Sequence, residues 1–441
     1  MMEENIQELQ TGAYMVGLDI GTTKISVMIG RKNQYGKLEI LGTGRAVSNG
    51  VARGIVSNID KTVESIREAV EEAKQKSGLE INDVFVGIAG QHIKSLQHRG
   101  EIVRDNIDIE IDKADIDKLK SNMFKLITIP GEEVIHVIPQ EYTVDGEDGI
   151  QDPKGMAGVK LEANFHVITA QVGAVRNIMR CVEKAGLTPR ELILEPFASA
   201  VATLDEDELR EGVALVDIGG GTTDVAIFLD NIIRHTAVIP FGGNIITKDI
   251  KGGLEILEKQ AELLKVKFGS AMYTEDQENV MVSIPGLRGR PPKEIAVKTL
   301  SEIIGARYKE IIDLVYHQIK ISGYEHKLMT GIVLTGGGSQ IRNLKQLVAF
   351  VTGKETRIGL PNEHLGAESV DKVVSPMYST GVGLVLKGFE YAEQHPDKIS
   401  MPKPKKEKDT VVDQEPEEIP SELSIVDRIT QIFTDDVKKT K

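Results

Sequence analysis

One short pattern occurs twice in this chain, about half its length apart. Residues 17–24 read "GLDIGTTK" and residues 216–224 read "VDIGGGTTD". Each copy ends one apolar run and leads into another, which predicts strand, tight turn and strand. A repeat of that kind predicts two similar lobes, each presenting one glycine turn. Without a Cβ in the way, backbone N–H groups in such a turn can approach a polyphosphate closely. Threonine hydroxyls add further donors. One such turn is as consistent with an ordinary hairpin, whereas two predict a shared phosphate cleft.

The chain is long enough to carry both lobes and more. Its 441 residues suggest roughly three folding units at about 150 residues each. Trp is absent and aromatic residues make up 4%, so the cores are aliphatic. A net charge of −14 argues against nucleic acid as the main partner, because phosphate backbones select basic faces. The single cysteine, Cys181, rules out an internal disulfide framework and fits a reducing cytoplasm. The first fifteen residues lack a basic segment followed by an apolar one, so no signal peptide is expected there. No uninterrupted apolar run approaches the ~18 residues of a membrane span.

Residues 14–30 read as a hairpin, and 36–48 as a third strand. In 57–78, Ile59, Val63, Ile66, Val70 and Ala73 recur at helical spacing and Gly78 ends the pattern. Residues 83–90 read as a buried strand. The stretch 88–165 is more polar and reads as an inserted module, with a helix at 112–125 and a strand at 132–145. Residues 160–171 read as the strand returning to the first lobe. Helices are expected at 173–186, 195–204, 254–268 and 293–319, then strand, glycine turn and helix over 331–351, and a small-residue helix at 375–388. From about 395 the chain turns proline-rich and charged, the composition of a disordered linker. An apolar pattern returns in 421–441, where Ile425, Ile429, Ile432 and Phe433 share one helical face.

Asp19 and Asp217 each end an apolar run. Such a carboxylate either caps a turn or faces a cation, since a buried one needs a partner. Two carboxylates facing a polyphosphate repel it unless a cation intervenes, and Mg²⁺ held largely through water suits that position. "LTGGGSQI" (334–341) offers a third glycine turn, where a flat group can lie against backbone. Neither a Walker A loop nor a GxGxxG fingerprint is present.

Taken together these stretches resemble the actin-like ATPase superfamily. "LDIGTTK" and "VDIGGGTTD" resemble its two phosphate loops, "LTGGGSQI" its adenosine loop, and "LEPFASA" and "SPMYSTGVGL" its two connecting helices. Within it the chain is most similar to the FtsA family of bacterial cell-division proteins. That similarity rests on "VIHVIPQEY" (134–142), "RHTAVIPFGGNIITKDI" (234–250), "AELLKVKFG" (261–269) and "GRPP" (289–292). It implies an α/β fold with two duplicated lobes around a nucleotide cleft, an inserted subdomain IC, and a C-terminal linker plus amphipathic helix. The implied division is 1–87, 166–204 and 375–394 for subdomain IA, with 88–165 for IC. It continues with 205–233 and 310–374 for IIA, 234–309 for IIB, 395–420 for the linker and 421–441 for the terminal helix.

The resemblance also implies site roles. Gly21, Thr22, Thr23 and Lys24 would contact phosphates from one lobe, and Gly219, Gly220, Gly221, Thr222 and Thr223 from the other. Gly336, Gly337, Gly338 and Ser339 would flank adenosine, with Glu262 and Lys265 reaching ribose and base or else forming a plain helix pair. Glu195 would orient water or simply sit at a helix start. Arg290, Glu302 and Arg307 would receive the acidic, apolar tail of FtsZ, or lie on a solvated loop and helix. Implied cofactors are ATP and Mg²⁺. Implied partners are FtsZ, further copies of this chain in actin-like filaments, later division proteins, and lipid on the cytoplasmic membrane face at the septum. At most slow hydrolysis is expected. The terminal helix carries balanced charge, so its apolar face would supply most of a reversible membrane affinity; docking on a protein is the alternative. A sugar kinase or a chaperone ATPase on the same fold are rival readings, separable by phosphorylation of a sugar panel or stimulation by unfolded peptide.

Overall fold

The computed structural model describes residues 13–105, 109–126, 128–275, 278–286 and 291–395. The first lobe opens with β1 (Tyr14–Ile20), β2 (Lys24–Lys32) and β3 (Leu38–Val47), an antiparallel meander. A two-residue-stranded hairpin follows, β4 (Val51–Ala52) and β5 (Ile55–Val56). Then comes α1 (Ile59–Ser77), begun by Asn58, whose side chain accepts from the Lys61 N–H at 3.0 Å, and ended by left-handed Gly78. Its apolar stripe, Val63, Ile66, Ala69, Val70 and Ala73, is buried in the core between helix and sheet. Parallel β6 (Asp83–Ile88) joins β1.

The chain next leaves the lobe. β7 (Ile93–Val103), α2 (Lys113–Met123), β8 (Glu132–Val144), β9 (Glu147–Ile150) and β10 (Lys160–Gln171) build a separate four-stranded sheet in the order β7-β10-β8-β9. This sheet and its helix enclose their own core around Leu119, Leu161 and Phe165. Here the structure corrects one expectation. Residues 160–171 do not return to the first lobe; β10 is an inner strand of the inserted sheet, which runs on to Gln171, past the expected boundary at 165. The return is made by α3 (Val172–Lys184) and β11 (Thr188–Leu194), which pairs in parallel with β6.

After α4 (Glu195–Thr203) and α5 (Glu206–Glu211), the second lobe repeats the first: β12 (Val213–Ile218), β13 (Thr223–Leu229) and β14 (Ile232–Ile239) form the meander. α6 (Gly243–Leu254), α7 (Glu258–Phe268), the β15 (Met281–Ile284) and β16 (Lys293–Ala296) ribbon and α8 (Val297–Ile321) cover one face. β17 (Gly331–Thr335) and β18 (Thr356–Ile358), flanking α9 (Leu344–Thr352), add parallel strands. The two sheets, β3-β2-β1-β6-β11 and β14-β13-β12-β17-β18, therefore have the same strand order and directions. The expected boundaries at 234 and 309 fall inside β14 and inside α8.

α10 (Ala367–Val373) and α11 (Ser379–Gln394) close the described chain. α11 crosses α4 so tightly that a Cβ on Gly383 would lie 1.8 Å from the Ala198 carbonyl oxygen. The inserted sheet also covers the edge strand β14. Ser95 donates to the Thr236 carbonyl at 3.0 Å, Gln97 to that of Arg234 at 3.1 Å, and Gln140 to that of Ile233 at 2.7 Å. Side chains thus occupy backbone acceptors that would otherwise invite another strand.

Candidate functional site

The duplicated sheets place Asp19 and Asp217 at equivalent points, each the penultimate residue of the first meander strand. Asp19 stands opposite Ser26, and Asp217 opposite Asp224. Ser26 donates to Asp19 at 3.2 Å; Ser199 of α4 donates to Asp217 at 2.7 Å, and Thr222 to Asp224 at 3.2 Å. The small residues that let α4 and α11 pack closely also bring the Ser199 and Thr380 hydroxyls together, 3.1 Å apart, beside Asp217. Glu195, at the start of α4, extends over Gly87, where a Cβ would meet its Cγ at 3.1 Å.

Four carboxyl groups and one ammonium thus share the floor between the lobes. Burial raises the Asp19 carboxyl, with Lys24 and the Ser26 hydroxyl opposing. Burial pushes Asp217 up to about 6 and Asp224 up to about 8, the latter helped by the charge of Asp217. Glu195 is raised well above the usual range by burial and by Asp19, Asp224 and Asp217. Burial lowers the Lys24 ammonium despite those carboxylates. Such a cluster holds protons until positive charge enters. One atom stands out: Asp224 Oδ1 is buried with no hydrogen-bond partner, an acceptor suited to a donor or a hydrated cation. Among the described residues no three His, Cys, Asp or Glu side chains converge to ligate one metal ion directly.

Above this floor the two glycine turns abut. A Cβ on Gly220 would lie 1.8 Å from Thr23 Oγ1, and one on Gly221 2.5 Å from Thr22 Oγ1. Only glycine permits that approach. Thr23 also donates to Asn244 Oδ1 at 3.2 Å, linking the first turn to the start of α6. Thr22, Thr23, Gly220, Gly221 and Glu262 line one cavity of about 560 Å³ between the lobes.

The remaining expected residues are placed differently. Four residues separate the paired strand ends in both turns, so Gly21 corresponds to Gly219, and Lys24 to Thr222. The second Thr-Thr pair therefore falls two positions later than the first. Thr222 and Thr223 are buried, and Thr223 donates to the Phe241 carbonyl at 2.8 Å; neither lines the cavity. Lys24 donates to the Met377 carbonyl at 2.5 Å and lies over the Tyr378 ring. Gly336, at φ 82°, packs so closely on Asp217 that a Cβ would meet its Oδ1 at 2.2 Å. Gly338 accepts from the buried Tyr308 hydroxyl at 2.7 Å, and Ser339 donates to the Gly336 carbonyl at 2.7 Å. Gly337 is the open member of this turn, with only Met377 within reach of a Cβ. Glu262 and Lys265 form an ion pair at 2.7 Å, and Lys265 also donates to Thr247 and to the Gly243 carbonyl. Glu302 is exposed on α8, while Arg307 grips Asp249 of α6 through two nitrogens and also meets Glu310. Arg290, Ile425, Ile429, Ile432 and Phe433 lie outside the described residues. Neither Asp224 nor Asn244 stands out in the sequence. The signal for Asp224 is its place as the in-register neighbour of Asp217 across the hairpin; Asn244 has none, because its contact with Thr23 joins residues from different lobes.

Among the described residues no helix is long and apolar enough to cross a membrane. A family model described as "Cell division protein FtsA" matches residues 214–383, and one described as "SHS2 domain inserted in FTSA" matches 90–169. The chain is 41% identical over 384 residues to the cell division protein FtsA of Pseudomonas aeruginosa, covering 87% of this chain and 91% of that protein. It is 38% identical over 378 residues to that of Neisseria meningitidis serogroup B, covering 85% and 90%. With Escherichia coli K12 the identity is 35% over 383 residues, covering 85% and 90%. Among solved structures, a PilM–PilN type IV pilus biogenesis complex matches with TM-score 0.61 at 16% identity, covering 85% of this chain and 98% of that one. MreB5 of Spiroplasma citri bound to ADP matches with TM-score 0.51 at 15% identity, covering 88% and 98%. These two likenesses concern the fold alone.

Proposed function

From the premise that this chain belongs to the FtsA family of bacterial cell-division proteins, we propose that it is an ATP-binding, actin-like adaptor of the division machinery. It polymerises on the cytoplasmic membrane face, ties the FtsZ ring to the membrane and helps recruit later division proteins. The observation that carries the ATP part is the pair of abutting glycine turns over a buried carboxylate floor. Gly21, Thr22 and Thr23 from one lobe, and Gly219, Gly220 and Gly221 from the other, hold the phosphates, while Lys24, bound to the Met377 carbonyl, faces the carboxylate floor beneath them. Thr222 acts through Asp224 instead, and Thr223 through the backbone at Phe241. Asp19, Asp217 and Asp224 hold Mg²⁺ through water. The bound cation supplies charge neutralisation between phosphates and carboxylates. Gly336, Gly337, Gly338 and Ser339 flank adenosine, with Glu262 and Lys265 on its ribose and base side.

Glu195 sets the enzymology. Burial and the neighbouring carboxylates raise its pKa, and a carboxyl takes a proton from water only in its ionised form. Hydrolysis is slow at most and depends on polymer formation. The FtsZ tail lies along α8 near Glu302 and Arg307, and Arg290 adds a further cation for it; a tail carboxylate there competes with Asp249 for the Arg307 fork. Residues 421–441 anchor the protein reversibly through Ile425, Ile429, Ile432 and Phe433. Polymer formation strengthens that anchor by linking many copies, a gain of about 10²–10⁴ in avidity. The subdomain division follows the family, with IC covering the sheet from Ile93 to Gln171. No observation favours the kinase or chaperone readings.

Gly220→Ala tests the nucleotide site. The added methyl collides with Thr23 and forces the turns apart. ATP binding should be lost while the melting temperature holds. Unchanged ATP affinity would refute the placement of the phosphates.

A further inference from the structure

The geometry points to Arg53 as the residue that reads the terminal phosphate of the bound nucleotide; this rests on the nucleotide reading above. Arg53 and Gly54 form the two-residue turn between β4 and β5, where Val51 pairs with Val56 and Ala52 with Ile55. Both turn residues are left-handed, at φ 51° and 75°. Glycine, asparagine and aspartate suit such a turn, and a long cation does not. A strained residue at a cleft is a reason to ask what its side chain does there.

The turn is fastened to the first phosphate loop. The Gly54 N–H donates to Thr22 Oγ1 at 3.1 Å, which leaves the Thr22 hydroxyl hydrogen for another acceptor. Gly54 itself is pressed on the chain just past the end of β6, where a Cβ would lie 2.3 Å from the Ala89 carbonyl. Arg53 therefore projects from a fixed base, and it lines the same cavity as Thr22, Thr23, Gly220 and Gly221. Its guanidinium makes no hydrogen bond or ion pair with any described residue. Lys24, the other cation at this turn, is already held by Met377 and faces the carboxylate floor. Among the described residues Arg53 is thus the uncommitted cation that the first lobe gives to the cavity, which Lys248 and Lys259 line from the second lobe.

Its chemistry suits a phosphoryl group. A guanidinium presents a planar fork of donors that matches two phosphate oxygens at once. Contact with a terminal phosphate separates a triphosphate from a diphosphate. The same contact supplies charge stabilisation that the glycine and threonine donors lack.

Calorimetric titration of the full chain with Mg-ATP and with Mg-ADP tests this, comparing wild type, Arg53→Asn and Arg53→Lys. Asparagine suits the left-handed turn, so Arg53→Asn removes the fork without breaking the hairpin. ATP affinity should fall about tenfold in Arg53→Asn while ADP affinity moves less than about twofold, the size of one charge-assisted contact. Arg53→Lys should recover part of the ATP affinity. Equal losses for both nucleotides, or no loss for either, would overturn the assignment while leaving the nucleotide reading standing. Wild type binding neither nucleotide would overturn both.

Discussion

Replacing Asp224 with asparagine should stabilise the ligand-free protein, and only above mildly acidic pH. Asp224 is buried beside Asp217, and its proton is held up to about 8 instead of the ordinary 3.8. A carboxyl that binds its proton more tightly when folded favours the fold at low pH. That contribution is fully present below the unfolded value near 4 and is lost as pH rises through about 8. A tenfold change in proton affinity corresponds to about 1.4 kcal/mol, so ionised Asp224 costs the fold on the order of 5 kcal/mol at most. The neutral amide introduced by Asp224→Asn escapes that cost, less whatever it fails to match at the unpartnered Oδ1 position. Urea unfolding of both proteins across about pH 4 to 9 measures the difference. The variant's advantage should be near zero at the acidic end and grow to a few kcal/mol at the alkaline end. Mg-ATP binding should weaken in the same variant, the usual exchange of stability for function at a charged site. A constant difference across pH, or a variant less stable at the alkaline end, would refute the account of the cluster.

Other outcomes follow from the same geometry. Mg-ATP binding near neutral pH should release a proton from Asp224, seen as a binding enthalpy that changes with the buffer's ionisation heat; a buffer-independent enthalpy would contradict the raised carboxyl. Arg104 is buried in the inserted module, donating to Asp115 at 2.8 Å and to the carbonyls of Gly158, Ile109 and Glu110 at 2.8, 2.6 and 2.9 Å. Arg104→Ala should cost about 3–5 kcal/mol, read by hydrogen exchange as faster opening of β7, β8 and β10 with the second lobe unchanged. Phe433→Glu should release the protein from vesicles while leaving ATP affinity intact; loss of ATP binding would mean that the terminal segment serves the core instead.

The sequence announced the duplication because the Asp-Ile-Gly turns each end one apolar run and open another, and α1 because its stripe, cap and terminal glycine agree. It hid what depends on long-range packing. β11 contains Pro189, Arg190 and Glu191 and carries no strand pattern, yet it pairs as an edge strand, where proline is tolerated. α6 contains Gly243, Gly252 and Gly253, poor helix formers that are held by burial of Ile246, Ile250 and Leu254 against α8 and its neighbours. β10 reads like a returning strand because periodicity reveals a strand but not the sheet it joins. In the site, the carboxylates Asp19 and Asp217 are legible from their place at strand ends. The offset of the two Thr-Thr pairs is not, since matching letters suggest an equivalence that strand register removes.

The adaptor account is tested most directly by sedimenting anionic vesicles with the full chain and with a chain ending at Gln394, with and without Mg-ATP, in the presence of purified FtsZ. It predicts that only the full chain pellets, that Mg-ATP increases the amount, and that FtsZ pellets with it. If both chains stay in solution with FtsZ beside them, the family's role as a membrane tether does not hold for this protein.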